Sequence, residues 1–527
     1  MRWLHAPLAL LFGAALAAQS APGGPEILTF YSPADDTDQP YAVYIPQGYS
    51  TGKAWPLVVS LHGAFSNHRV NLRRVFGQGN RDGETDAEAM RYFPPLPAAP
   101  YFVASPLARG TMGYRGLAER DVWAMLEDVK RRFRIDEDRV YLTGLSMGGG
   151  GTLELGLKYP DVWAAIVPLC PVPPHFGEDH AGNALNVPVY FHHGVDDKVV
   201  PVAVTRQWSK LMREAGARVE VKEYPGVQHN VWDFAYRDAD LFKWLGRRRR
   251  VRFPERVYYA TDDPLRTKAY WVKGLTFAPG VTARITARFE GPNVVGVETA
   301  GVDGFELELA GHPHYRNRQA VVVKVNGEVH RFEPGAPVRV GTRGTAWAEA
   351  RQATSGRHVY VYGTADNPPP AERMRRRETA ARAADWIGGG RRLNYFPRVL
   401  ADREIRPSDF EANLIVFGNA KTNQIVAKLG GRARLSLRAG KEVDHGLVYA
   451  VPGETPGTVI VVNEGLPWWQ GGERTSRGGY GFLPLQHRIL MSIDEFLLFR
   501  GGVAEVVAEG FLAQQWAKLP AEVVEVR

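Results

Sequence analysis

The stretch that most constrains this fold is a run of β-branched and aromatic residues, Val140-Tyr141-Leu142-Thr143, that ends in Gly144-Leu145-Ser146-Met147-Gly148. Gly149-Gly150-Gly151-Thr152-Leu153 continues from it into a helical pattern that stops near Tyr159-Pro160. The pattern matches the nucleophile elbow G-x-S-x-G, in which a serine is held in a strained turn between strand and helix and a Cβ beside it would clash. Chance alone supplies roughly 0.15 such matches in a chain of this length, so the five residues by themselves are weak. The strand before them and the helix after them turn the match into a constraint: this part of the chain has to be a sheet whose strands feed helices.

At 527 residues the chain is too long for one hydrophobic core. Its 44% hydrophobic and 23% charged residues describe a globular protein. From 26 to 250, strand patterns at Leu57–Leu61, Tyr101–Ser105, Val140–Thr143, Ala164–Leu169, Val187–Phe191 and Val219–Tyr224 alternate with helices at Val122–Phe133 and Val202–Ala215. Asp121 suits the N-cap of the first of these helices. Such alternation predicts an α/β domain with a mostly parallel sheet covered on both faces. Residues 255–355 read as strands only, a β-sandwich-like region. Asn326-Gly327 is placed there as a hairpin turn, and Asp303-Gly304 as a second one between Val294–Val302 and Phe305–Leu309. From 358 to 527 the alternation returns as a smaller α/β unit, with a flavodoxin-like arrangement as one option. Gly388-Gly389-Gly390 lacks the strand-turn-helix setting of a phosphate loop, so no nucleotide site is inferred.

Three further requirements of the elbow are met in chain order. An oxyanion hole takes one N–H from the residue after the nucleophile, Met147, and one from an earlier strand-to-helix loop. Leu61-His62-Gly63-Ala64 ends a strand in the right place, and Ala64 or Phe65 can supply the donor; His62 is read as holding that loop rather than as the general base. The acid follows the strand Val187–Phe191 in His193-Gly194-Val195-Asp196-Asp197-Lys198-Val199-Val200-Pro201. Spacing favours Asp197, with Asp196 as a loop-capping residue. The base comes last, His229, in the loop after Val219–Tyr224. Ser146, Asp197 and His229 are therefore the expected catalytic residues, with the aspartate fixing the tautomer of the imidazole.

On these motifs, residues 40–245 resemble the catalytic domain of the prolyl oligopeptidase family, and also polyhydroxybutyrate-depolymerase and feruloyl-esterase type hydrolases, all within the α/β-hydrolase superfamily. The resemblance implies a Ser-His-Asp hydrolase working through an acyl-enzyme, without cofactor. The domain order differs from prolyl oligopeptidase, whose β-propeller precedes the catalytic domain, so a preference for proline is not carried over. Cleavage of peptide bonds ranks slightly ahead on the resemblance; ester hydrolysis is the alternative, and a non-catalytic binding protein on the same fold is a third reading.

Two insertions leave the active-site edge of the sheet. Asn67–Pro100 follows the oxyanion loop and carries Arg73-Arg74 and Arg91-Tyr92-Phe93; Pro106–Glu119 carries Arg109, Tyr114 and Arg115. The last three are the candidate substrate-binding residues, with Arg109 or Arg115 as an anchor for a peptide. The alternative is that both insertions merely cover the sheet.

The histidines lack the count and spacing of a zinc site, so no metal is expected. The net charge is +8, with arginine runs at 247–250 and 375–377 the densest, without the interleaved aromatics of a nucleic-acid surface; the first run reads as a solvated helix end before a linker. Cys170 is the only cysteine and reads as a small buried residue. Arg2, the apolar run Leu8–Leu16 and the small residues Ala15 to Ser20 predict an export signal over 1–20, and hence a periplasmic or extracellular protein; an uncleaved anchor is the alternative. No stretch has the ~20 apolar residues of a membrane helix.

Overall fold

The computed structural model describes residues 23–237, 240–342, 347–387, 393–472 and 483–526. The expected export signal over 1–20 and the Gly388–Gly390 run lie outside the described residues.

The first unit is built on an eight-stranded sheet. Its strands are β1 (Gly24–Ser32), β2 (Thr37–Ile45), β3 (Trp55–Leu61), β4 (Phe102–Pro106), β5 (Ile135–Leu145), β6 (Ala165–Leu169), β7 (Val189–Gly194) and β8 (Val219–Tyr224), in the spatial order β1-β2-β4-β3-β5-β6-β7-β8. β2 runs antiparallel to β1 and β4, and the strands from β4 onward are parallel. Both faces of the central strands are buried, which explains their unbroken apolar runs. Leu57, Val59 and Leu61 join one core cluster, while Val58 points into the other. The parallel strands all release their loops at one edge, and the order reverses about β3, so functional loops gather there.

The helix packed behind β4 spans Leu117–Arg132 and begins after Gly116, whose φ of 57° makes the turn. The N-cap role expected of Asp121 is thereby corrected: it lies inside the helix, buried against Arg109. The arginines at 248–250 are likewise not a free linker, since they pair with Glu220, Asp136 and Asp138 on the sheet domain.

Between 256 and 341 the chain forms a five-stranded and a three-stranded sheet around one apolar cluster. Asn326 and Gly327, at φ 48° and 93°, turn the antiparallel pair Val321–Val325 and Glu328–Phe332 as the sequence requires. Asp303-Gly304 does not make a hairpin. Val294–Ala300 belongs to the larger sheet and Gly304–Leu307 to the smaller one, so the chain crosses between sheets here. The turn dipeptide marks a reversal; it cannot specify which sheet the next strand joins.

The last unit has a seven-stranded sheet. Arg398–Ala401, His358–Tyr362, Asn413–Phe417 and Val459–Gly465 are parallel neighbours in that order. His445–Pro452, Phe496–Arg500 and Val506–Gly510 then extend it antiparallel, a departure from an all-parallel flavodoxin-like sheet. Trp386, Leu393, Tyr395 and Leu483 from this unit join the core cluster of the first domain, so the two pack as continuous apolar interior.

Candidate active site

The elbow forms as its residues dictate. Ser146 has φ 55° and ψ −115°, between β5 and the helix Met147–Lys158. This left-handed placement is costly for a residue with a Cβ and persists only where the surroundings enforce it. They do: a Cβ on Gly148 would collide with the carbonyl of Leu61, and one on Gly144 with the carbonyl of Gly148. Strand, turn and helix can approach this closely only with glycine at both places. The result lifts the Ser146 side chain above the strand edge at the start of a helix.

Three loops then converge. Ser146 Oγ donates to His229 Nε2 over 2.9 Å, and His229 Nδ1 donates to Asp197 Oδ2 over 2.7 Å. Asp197 is itself locked, because its Oδ1 accepts from the N–H groups of Val199 and Val200 at 2.8 and 2.9 Å. The loop-capping role expected of Asp196 thus belongs to the second oxygen of Asp197, while Asp196 is exposed. One carboxylate orients the imidazole and caps its own loop.

A layer beneath this chain was not singled out from sequence. His193 is wholly buried, with Nδ1 2.7 Å from Thr205 Oγ1 and Nε2 2.9 Å from the Val200 carbonyl. Burial lowers its pKa, so it supports the loop as a neutral ring. Trp232 stands edge-on to His229 at 5.5 Å between centroids, and Arg74 from the first insertion lies over the same indole at 5.6 Å. Trp232 opens the short helix Trp232–Ala235 three residues after His229, and that proximity is the signal by which sequence reading could find it. Cys170 lies within 4.8 Å of the ligating atoms of Asp197 and His229, buried. Its desolvation raises the thiol pKa, and both imidazole nitrogens are already engaged.

The oxyanion side rests on different contacts. Met147 opens its helix, so its N–H has no partner within it. The N–H of Ala64 makes no hydrogen bond to another backbone carbonyl among the described residues. Phe65, at φ 63°, donates its N–H to Thr111 Oγ1 over 2.9 Å, which leaves Ala64 as the available donor of the two. His62 is buried, its Nδ1 2.8 Å from the Gly63 carbonyl and its Nε2 2.9 Å from the Leu107 carbonyl, and burial lowers its pKa. It holds the loop, as read from the sequence, with both ring nitrogens engaged by backbone carbonyls.

The substrate-binding assignments of Arg109, Tyr114 and Arg115 need correction. Arg109 is fully buried and spends its guanidinium on Asp121 at 2.7 Å, Asp35 at 2.5 Å, Ser32 and the carbonyl of Asn394. Tyr114 is buried too, its hydroxyl donating to the His62 carbonyl over 3.0 Å and its ring filling the space over Gly151. Arg115 lines a charged cavity with Glu154, Lys158 and His175 whose lining, among the described residues, includes neither Ser146 nor His229. The physical reason is shared. Asp35, 74 residues before Arg109, and Asp121, on the helix that follows the loop, claim its most inward arginine, and the loop folds down over the domain instead of out toward solvent. In the first insertion Arg73 is also buried, bound to Glu84 and to the carbonyls of Ala89 and Gly79. Beside the site, Phe65 is 52% exposed and Val199 68%, among the exposed polar residues Asp196, Lys198, Gln228 and Asn230.

A strand order that reverses about β3, a strained serine on the elbow after β5, and an aspartate and a histidine on the loops after β7 and β8 give the first unit the arrangement of an α/β-hydrolase fold. The family profile described as Phospholipase/Carboxylesterase matches residues 122–242. Among curated proteins, the chain is similar to a Probable carboxylesterase SOBER1-like of Arabidopsis thaliana, 32% identical over 104 residues covering 18% of this chain and 38% of that protein. It is also similar to Carboxylesterase SOBER1 of the same plant, 28% identical over 145 residues covering 27% of this chain and 62% of the relative. Among solved structures, it is similar to a thermostable esterase at 26% identity and a TM-score of 0.35, covering 43% of this chain and 63% of that one. The chain therefore spans less than two thirds of the length of each.

Proposed function

We propose that this protein hydrolyses carboxylic esters by a Ser146–His229–Asp197 triad through an acyl-enzyme. The observation that carries the reading is the unbroken hydrogen-bond chain from Asp197 through His229 to the strained Ser146. In the mechanism, Ser146 Oγ attacks the ester carbonyl as its proton passes to His229 Nε2. Asp197 holds Nδ1 protonated and stabilises the imidazolium. The N–H groups of Met147 and Ala64 receive the oxyanion. His229 returns the proton to the departing alkoxide, and a water activated by the same nitrogen then releases the acid.

Ester is placed ahead of peptide, which reverses the order favoured by the sequence resemblance. Amine departure demands protonation in step with bond breaking and hence a tightly held substrate. Arg109, one of the two residues expected as a peptide anchor beside Arg115, is instead committed to Asp35 and Asp121. Two of the curated relatives carry carboxylesterase names, and the exposed Phe65 ring offers apolar surface to an acyl or alcohol group.

A panel of p-nitrophenyl, acetyl and feruloyl esters beside aminoacyl amides and short peptides tests this. Turnover of esters with no cleavage of amides is the expected result; efficient amide cleavage with weak esterase activity would restore the peptidase reading. We also propose that the chain is exported. Mass spectrometry of protein from a secreting host should find a mature N-terminus near residue 18 or 21, whereas intact Met1 in the membrane fraction would favour a retained anchor. Among the described residues no helix is long and apolar enough to cross a membrane.

A further inference from the structure

The loop that supports the oxyanion side is itself supported from far away in the chain. Leu107 to Thr111 and Tyr114 make three contacts to the Ala64 loop: the Leu107 carbonyl meets His62 Nε2, Thr111 Oγ1 accepts the Phe65 N–H, and Tyr114 donates to the His62 carbonyl. Within it, Ala108 and Arg109 have φ of 45° and 62°, a conformation that side-chain-bearing residues keep only when neighbours over-determine it. Those neighbours include residues of the C-terminal unit. Gly110 and Leu393 form an antiparallel bridge. The Asn394 N–H donates to the Arg109 carbonyl and the Arg109 guanidinium donates to the Asn394 carbonyl, each over 3.2 Å. The Tyr395 ring lies 5.6 Å from the same guanidinium, and Leu393 and Tyr395 are buried in the cluster that contains Met112 and Tyr114.

We propose that Leu393–Tyr395 is a positioning strap: it holds loop 107–114 in its strained course, and that loop aims the Ala64 N–H at the reacting carbonyl. The C-terminal unit is then part of the catalytic apparatus without touching substrate. The proposal rests on the reading above, in which Ala64 and Met147 stabilise the oxyanion formed on Ser146. Misplacing an oxyanion donor weakens the transition state more than the ground state, so the signature is a fall in kcat with KM little changed.

Three variants of the full chain test it, each normalised to active sites counted by exhaustive labelling with a fluorophosphonate. Asn394→Pro removes the N–H that binds Arg109, Leu393→Ala removes the packing beside the bridge, and Thr111→Val removes the acceptor of the Phe65 N–H while keeping the side chain's shape. On a short-chain p-nitrophenyl ester, each should lose on the order of tenfold in kcat per site. KM should stay within about twofold. Phenylboronic acid, which becomes tetrahedral and anionic on the serine, should bind more weakly by the same factor as kcat falls. If Asn394→Pro does not fold, Leu393→Ala decides for the strap. Unchanged kcat per site in Leu393→Ala and Asn394→Pro overturns the proposal, including when Thr111→Val alone is impaired, because the loop would then need no strap. A rise in KM without loss of kcat overturns it as well. Failure of the underlying reading looks different: Ser146→Ala would retain turnover.

Discussion

The two sides of the site are held by different means. The side built on Ser146, Asp197 and His229 is assembled from loops that each follow a strand of the same sheet, and the aspartate loop is fixed locally: Asp197 caps Val199 and Val200 with one oxygen while the other meets His229, 32 residues on. The Ala64 loop, the proposed oxyanion side, leans on a loop pinned by Asp35, Asp121 and Asn394, up to 285 residues away from Arg109. A group held locally can be read from a motif. A group held by distant partners is visible only after folding, and an arginine on the active-site edge can belong to the architecture and not to the substrate.

The largest expected effect lies on the side built on Ser146. Ser146→Ala should cost on the order of 10⁴-fold or more in kcat while the fold stays intact, since glycines, and not the hydroxyl, set the elbow. Circular dichroism and kcat on an activated ester measure both parts; wild-type turnover from the folded variant would remove Ser146 from the mechanism. Asp197→Asn should cost about 10²- to 10⁴-fold by favouring the wrong imidazole tautomer. Asp196→Asn, exposed beside it, should stay within a few-fold. A reversal of these two would show that the hydrogen bond of His229 to Asp197 is not the one that matters in catalysis.

What the sequence made legible follows the same division. The elbow, the six parallel strands β3 to β8 and the Asn326-Gly327 hairpin were readable, because each is encoded by adjacent residues with strong conformational demands; the antiparallel β1 and β2 were not named. The roles of Arg109 and Tyr114 were not, because burial depends on the carboxylates and carbonyls that arrive from other elements. Asp121 shows the same limit: its residue type suits an N-cap, but Gly116 started the helix earlier and Arg109 claimed the carboxylate. Asp303-Gly304 marked a turn correctly and the sheet it led to wrongly. His193 stood within the recognised motif around Asp197, yet its support of that loop needs the Thr205 hydroxyl from the next helix.

Arg109→Met sharpens the comparison in a different observable, stability. The side chain is fully buried, and its partners Asp35 and Asp121 have side chains only 3% exposed. Methionine fills comparable space but leaves both carboxylates without their cation. Burial already raises the pKa of Asp121 to about 6 despite the guanidinium, so without it the carboxyl is driven further toward the neutral form. Breaking a buried ion pair from one side typically costs about 3–5 kcal/mol, read as a lower urea midpoint at unchanged slope. Because the loop also carries the contacts to the Ala64 segment, kcat should fall modestly with KM unaltered. A substrate anchor would behave oppositely, raising KM with the urea midpoint untouched. Arg109→Met/Asp121→Asn should recover part of the stability, since an amide costs less to leave buried than a carboxylate. If it recovers none, Asp35 and not Asp121 dominates the hold on this loop.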